Sequence, residues 1–124
     1  AFDRIRNHFG VTRLGQVAGL AALSDQDHLA KVVSQVAAAR SAIAAIAQDN
    51  GLHPLASAAN FVAIDCGKDG EHARRVLEAL LSRGIFVRMP GLAPLDRCIR
   101  VTAGTDADLA ILAKELPAAI AAAG

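Results

Sequence analysis

Gly84-Ile-Phe-Val-Arg-Met-Pro-Gly91, followed after six residues by Cys98-Ile-Arg-Val-Thr-Ala-Gly-Thr105, is the stretch that decides how this chain folds. Ile85 to Met89 and Cys98 to Thr102 each set one arginine among β-branched or aromatic residues. The Pro-, Gly- and Asp-bearing connection between them has the composition of a loop joining two strands. Strands joined this way are expected to pair antiparallel. Arg88 lies near the end of the first and Arg100 near the start of the second, so pairing brings both guanidinium groups to the same end of the sheet. Arginine is the side chain suited to grip a carboxylate or phosphate through two parallel hydrogen bonds. The residues alone leave two readings open: the pair holds an anion, or each arginine caps a strand edge in solvent.

Working outward, Asn60 to Cys66 reads as a further strand, and Glu71 to Ser82 repeats Ala73, Val76, Leu77, Leu80 and Leu81 as an amphipathic helix closed by Gly84 at the C′ position. A last helix begins at Thr105-Asp-Ala-Asp108, where Thr105 is placed to bond the amide of Asp108, and Pro117 is expected to kink or restart it. Before the first strand, a short helix from Arg13 to Leu23 precedes a long one that starts at Ser24 or Asp25 and ends at Asn50-Gly51. Its apolar stripe is Leu29, Val32, Val33, Val36, Ala37, Ile43 and Ile46. Residues 1–12 read as an irregular lead-in, and Pro54 as part of a loop. The order α-α-β-α-β-β-α predicts an α+β fold: a small mixed β-sheet, with the strands flanking the third helix parallel, an antiparallel strand between or beside them, and helices on one face. Residues 1–51 form the helical lead-in and long connecting helix, and residues 52–124 a small α/β domain.

Composition narrows the function. Thirteen basic against twelve acidic residues give a net charge of +1, which argues against a nucleic-acid or acidic-lipid surface. No uninterrupted apolar run approaches the roughly 20 residues of a membrane span, so no membrane association is expected. Cys66 and Cys98 fall in expected strands and read as buried thiols of a cytoplasmic protein. The only methionine is Met89 and the chain opens on Ala1, which predicts a polypeptide cut from something longer.

No self-sufficient catalytic site is legible. His8, His28, His53 and His72 fall in separate elements without metal-ligand spacing, so no metal site is expected. No Walker loop, Gly-x-Gly-x-x-Gly or Gly-x-Ser-x-Gly occurs. Lys31, Lys68 and Lys114 sit in helices or a turn rather than in an apolar pocket that would depress their pKa. What remains is Arg88, Arg100 and Asn60, the last either a structural turn residue or part of the same polar lip.

Four pieces in this order carry a resemblance: the Arg6-Asn-His-Phe9-Gly-Val-Thr lead-in before an alanine-rich helix ending Ala-Ala-Leu-Ser-Asp, then Ser57-Ala-Ala-Asn60-Phe-Val, Gly84-Ile-Phe-Val-Arg88, and Ile99-Arg100-Val-Thr-Ala-Gly104-Thr105. Together they resemble the C-terminal small domain of fold-type I pyridoxal-phosphate-dependent aminotransferases, most of all the histidinol-phosphate aminotransferase group. The resemblance implies that Arg100 binds the substrate's α-carboxylate, with Arg88 as a second anion contact; Asn60 is a candidate supporting residue on the lip reading alone. It implies amino-acid and 2-oxo-acid substrates, and a homodimer when intact. It also implies that the cofactor pyridoxal 5'-phosphate and its Schiff-base lysine belong to an N-terminal large domain that precedes this stretch. The chain alone is then expected to bind no cofactor and to be inert. A decarboxylase of a phosphorylated amino acid shares these pieces, and a stand-alone module binding a small anion is the reading from a different class.

Overall fold

The computed structural model describes residues 10–124. The expectation for residues 1–9 lies outside them. Helix α1 spans Arg13–Ser24 and is capped by Thr12, whose hydroxyl accepts from the Gly15 amide. Asp25 accepts the His28 amide and opens α2, Gln26–Asp49, a helix about 36 Å long. The chain divides by compactness within α2, into residues 1–34 and 35–124. In the first unit α1 buries no residue; Leu14, Val17, Leu20 and Leu23 are all exposed. Leu29, Val32 and Val33 of the expected stripe are exposed as well. In the second unit α2 buries Ala39, Ile43 and Ala47, spaced four apart along one face. By length and composition alone α2 is apolar enough to cross a membrane, against the expectation that no stretch would be. Its alanine content accounts for this, and its second half is occupied in the core.

Within residues 35–124, β1 (His53–Pro54), β2 (Phe61–Asp65) and β3 (Cys98–Thr102) form a sheet in that order, with antiparallel pairing throughout. The α+β class is as expected, but the sheet is antiparallel rather than mixed. Segment 85–89 runs in the same direction as β2, as expected, and β3 takes the place between them, one of the two expected for the antiparallel strand, so the two same-direction segments are not neighbours. Only Arg88 of the expected strand Ile85 to Met89 pairs, in a single bridge to Arg100. The following Pro90 has no N–H to extend a ladder. On the other side the chain diverges from β3, opening a cavity of about 290 Å³ between Gly84–Val87, the end of β3 and α4. The two-residue β1 holds Pro54 at an edge, where a missing N–H is tolerated.

Helix α3, Gly70–Leu81, starts at Asp69, which accepts the His72 amide at 2.8 Å. It ends where Gly84, at φ +80°, lets the Gly84 and Ile85 amides close on the carbonyls of Leu81 and Leu80. Helix α4, Asp106–Ala123, opens on a complete capping box between Thr105 and Asp108. A Cβ on Gly104 would come within 2.9 Å of the Asp108 side chain, so the motif needs glycine there. Pro117 does not interrupt α4. It leaves one carbonyl without its intrahelical bond, but Leu112, Leu116, Ala119 and Ala123 continue the buried face past it. Arg75 of α3 donates to the Ala123 carbonyl at 2.8 Å and ties down the far end.

One face of the sheet, Val62 and Ile64 of β2 with Ile99 and Val101 of β3, is buried with Val87 against α2, α3 and α4. Ile99→Ala is expected to lower stability by about 2–5 kcal/mol in urea unfolding. Phe86→Ala, at a residue 73% exposed, should change it by no more than about 0.5 kcal/mol.

Asp65 fastens the end of β2 to the 3-10 turn Leu95–Arg97, accepting the Arg97 Nε–H and the Gly67 amide, each at 2.8 Å. Partial burial raises its pKa, but the Gly67 amide and Arg97 outweigh that and hold the carboxyl below its ordinary 3.8. A depressed folded pKa means the contribution is complete above 3.8 and is lost as pH falls toward the folded value. Asp65→Asn should therefore have a lower Tm than the parent at pH 7, and the gap should narrow as pH is lowered through that range.

Candidate functional site: an arginine pair on one face of the sheet

The face of the sheet opposite the core carries the arginines. Period-2 alternation sends Ile99 and Val101 inward and Arg100 outward. Arg88 and Arg100 exchange both backbone hydrogen bonds, the Arg88 amide donating to the Arg100 carbonyl at 3.2 Å and the Arg100 amide donating back at 2.6 Å. Residues directly opposite in an antiparallel pair project to the same face. The expected antiparallel neighbourhood and shared end therefore hold, reduced from a ladder to one bridge.

Two like charges directly opposite destabilise a sheet unless something neutralises them. Among the described residues neither guanidinium has an ion-pair partner; the carboxylates of Asp65, Glu71 and Glu115 are engaged by Arg97, Arg75 and Arg83. Arg88 is exposed and Arg100 half-buried. The Arg100 Nε is buried and has no hydrogen-bond partner among the described residues. A buried donor left in that state costs about 1–3 kcal/mol, more when charged.

Arg100 stands opposite Ala63 on β2. That small side chain leaves the guanidinium free to reach the next outward residue of β2, Phe61, and it lies over the ring with its central carbon 4.7 Å from the centroid. Nothing in the sequence marked Phe61 as a partner for Arg100. Alternation along β2 put Phe61 and Ala63 on one face, but pairing Ala63 with Arg100 required the register. Asn60 immediately precedes Phe61, and its carbonyl accepts the Ala103 amide at 2.8 Å. Its side chain makes no hydrogen bond to either arginine among the described residues.

The remaining candidates take structural positions. Lys68 donates to the Gly124 carbonyl, Lys114 pairs with Glu115 and Lys31 is exposed, so none of the three is buried in a pocket. Cys66 and Cys98 are both buried and free. Burial pushes the Cys66 thiol up to about 11 and raises that of Cys98. Cys98 stands opposite Asp65 rather than Cys66. No group of histidine, cysteine and carboxylate side chains among the described residues is arranged to hold a metal ion. The arrangement of the two arginines is suited to receiving an oxyanion.

The sequence from residue 1 to 116 matches the family "Aminotransferase class I and II", and the chain belongs to that family. It is similar over 99% of its length, at 52% identity and a TM-score of 0.91, to the crystal structure of histidinol-phosphate aminotransferase from Sinorhizobium meliloti in complex with pyridoxal 5'-phosphate, of which it covers 34%. A putative aminotransferase from Burkholderia pseudomallei shares the fold at a TM-score of 0.77 and 27% identity, with 94% of this chain and 35% of that one covered. Among curated relatives, histidinol-phosphate aminotransferase 2 of Caulobacter vibrioides is 37% identical over 120 residues, which are 95% of this chain and 30% of the relative. The chain thus spans about a third of the length of the relatives it matches.

Proposed function

We propose that this chain is the substrate-recognition part of a pyridoxal-phosphate-dependent aminotransferase of the histidinol-phosphate type, transferring an amino group between an amino acid and a 2-oxo acid. The observation that carries this reading is the Arg88–Arg100 pair: two guanidinium groups on one face, neither matched by a carboxylate among the described residues, one with an orphaned buried N–H. In this reading Arg100 receives the substrate carboxylate and Arg88, the more exposed, adds a second anion contact, with Asn60 at the edge of the lip. Holding the carboxylate fixes the orientation of the reacting carbon, and that positioning is this chain's contribution to the rate.

Bound pyridoxal phosphate supplies the electron sink for amino transfer. The exposed or paired state of Lys31, Lys68 and Lys114 supports placing its anchoring lysine elsewhere in a longer polypeptide, in a large domain N-terminal to this chain. The exposed Leu14, Val17, Leu20 and Leu23 of α1 support the same reading, since so much bare apolar surface suits a larger body of protein. The chain alone is then inactive and free of cofactor. The intact protein is a homodimer, and the two free thiols support a cytoplasmic setting.

The full gene product is expected to be roughly three times this mass, and to show visible absorbance that borohydride abolishes. A product of this mass, colourless with added cofactor, would refute the reading. In the full-length protein Arg100→Ala should lose about 3–5 kcal/mol of transition-state binding, at least about a hundredfold in kcat/KM. Arg100→Lys should recover little of it, because a point charge does not reproduce the fork. Unchanged kcat/KM in Arg100→Ala would remove Arg100 from the site.

A further inference from the structure

We propose that Phe61 is a positioning residue for Arg100, its ring fixing the plane in which the guanidinium presents its N–H groups to the substrate carboxylate. The inference rests on the reading of Arg100 as the carboxylate contact. An arginine fork recognises a carboxylate in its own plane, so its usefulness depends on how that plane is held. In this chain no hydrogen bond or carboxylate among the described residues holds the Arg100 guanidinium. What it touches is the face of Phe61, at 4.7 Å. With the ring against the guanidinium and Nε buried, the terminal N–H groups are the ones left to present to a ligand.

Phe61 is itself held firmly enough to serve this purpose. On one side it pairs with Thr102 of β3, and the preceding Asn60 carbonyl takes the Ala103 amide. On the other side the Ser57 hydroxyl donates to the Phe61 carbonyl while accepting from the Ala59 amide. Arg40 of α2 donates to the Ala59 carbonyl at 3.1 Å and pins the same turn to the helix. The ring is only half-buried and is not among the residues of the apolar core. A side chain anchored at its backbone and left half-exposed, with a cation over its face, is placed to support that cation rather than to fill the interior.

The test keeps the shape of the ring and removes its attraction for a cation. In the full-length enzyme, Phe61 is replaced by mono-, di- and trifluorophenylalanine, and kcat/KM for the amino-acid substrate is measured with Tm, in the parent and in Arg100→Ala. The expected result is a stepwise decline in kcat/KM reaching about three- to tenfold at three fluorines, with Tm unchanged and no decline in the Arg100→Ala background. A flat series in the parent, with Arg100→Ala itself strongly impaired, overturns the role of Phe61 and leaves the carboxylate reading standing. So does a decline that follows Tm or persists without Arg100. An unimpaired Arg100→Ala removes the carboxylate reading and this inference with it.

Discussion

One pair of backbone hydrogen bonds, between Arg88 and Arg100, sets the character of this small domain. It is the only bridge between the segment leaving α3 and the sheet among the described residues, and it forces two guanidinium groups onto the same face. The neighbouring features bracket it. Gly84 turns the chain out of α3 toward the bridge, and Val87, immediately before Arg88, is buried in the core. Beyond Arg100, β3 runs into Gly104 and the Thr105–Asp108 capping box, so the strand that carries the arginine is continuous with a well-capped helix.

The price of that arrangement is electrostatic. Like charges in register oppose folding, and a charged donor buried without a partner opposes it further. Real proteins keep such conflicts mainly where function requires them. The stack on Phe61 offsets part of the conflict without neutralising it, since a ring face attracts a cation but accepts no strong hydrogen bond. The Arg100 side chain is thereby in contact with the ring and still lacks a hydrogen-bond partner for its Nε among the described residues.

Much of this was legible in the sequence where local chemistry dictates structure. A cap at Ser24 or Asp25, the Thr105 cap, glycine at position 84 and the apolar period of residues 71–82 each rest on bonds or packing within a few residues, and the structure places the first at Asp25. What was not legible depended on partners far along the chain. Ile85 to Met89 has strand composition, yet only Arg88 pairs, because the chain veers from β3 around a cavity. Pro54 marked a loop by propensity, but an edge position made it a strand. Pro117 marked a kink or a restart, and α4 does not restart there, its buried face continuing past the proline. Of these residues, Arg88 and Arg100 stood out by residue type; Phe61 did not, because its diagonal contact with Arg100 follows from register alone.

The central claim is that Arg100 receives a substrate carboxylate from a plane set by Phe61. A crystal structure of the full-length protein with its amino-acid substrate bound tests it most directly. The account predicts the carboxylate in the guanidinium plane at about 2.7–2.9 Å from Arg100 nitrogens, with the Phe61 ring still covering one face. A carboxylate held by other residues, with Arg100 contacting only water, would contradict it.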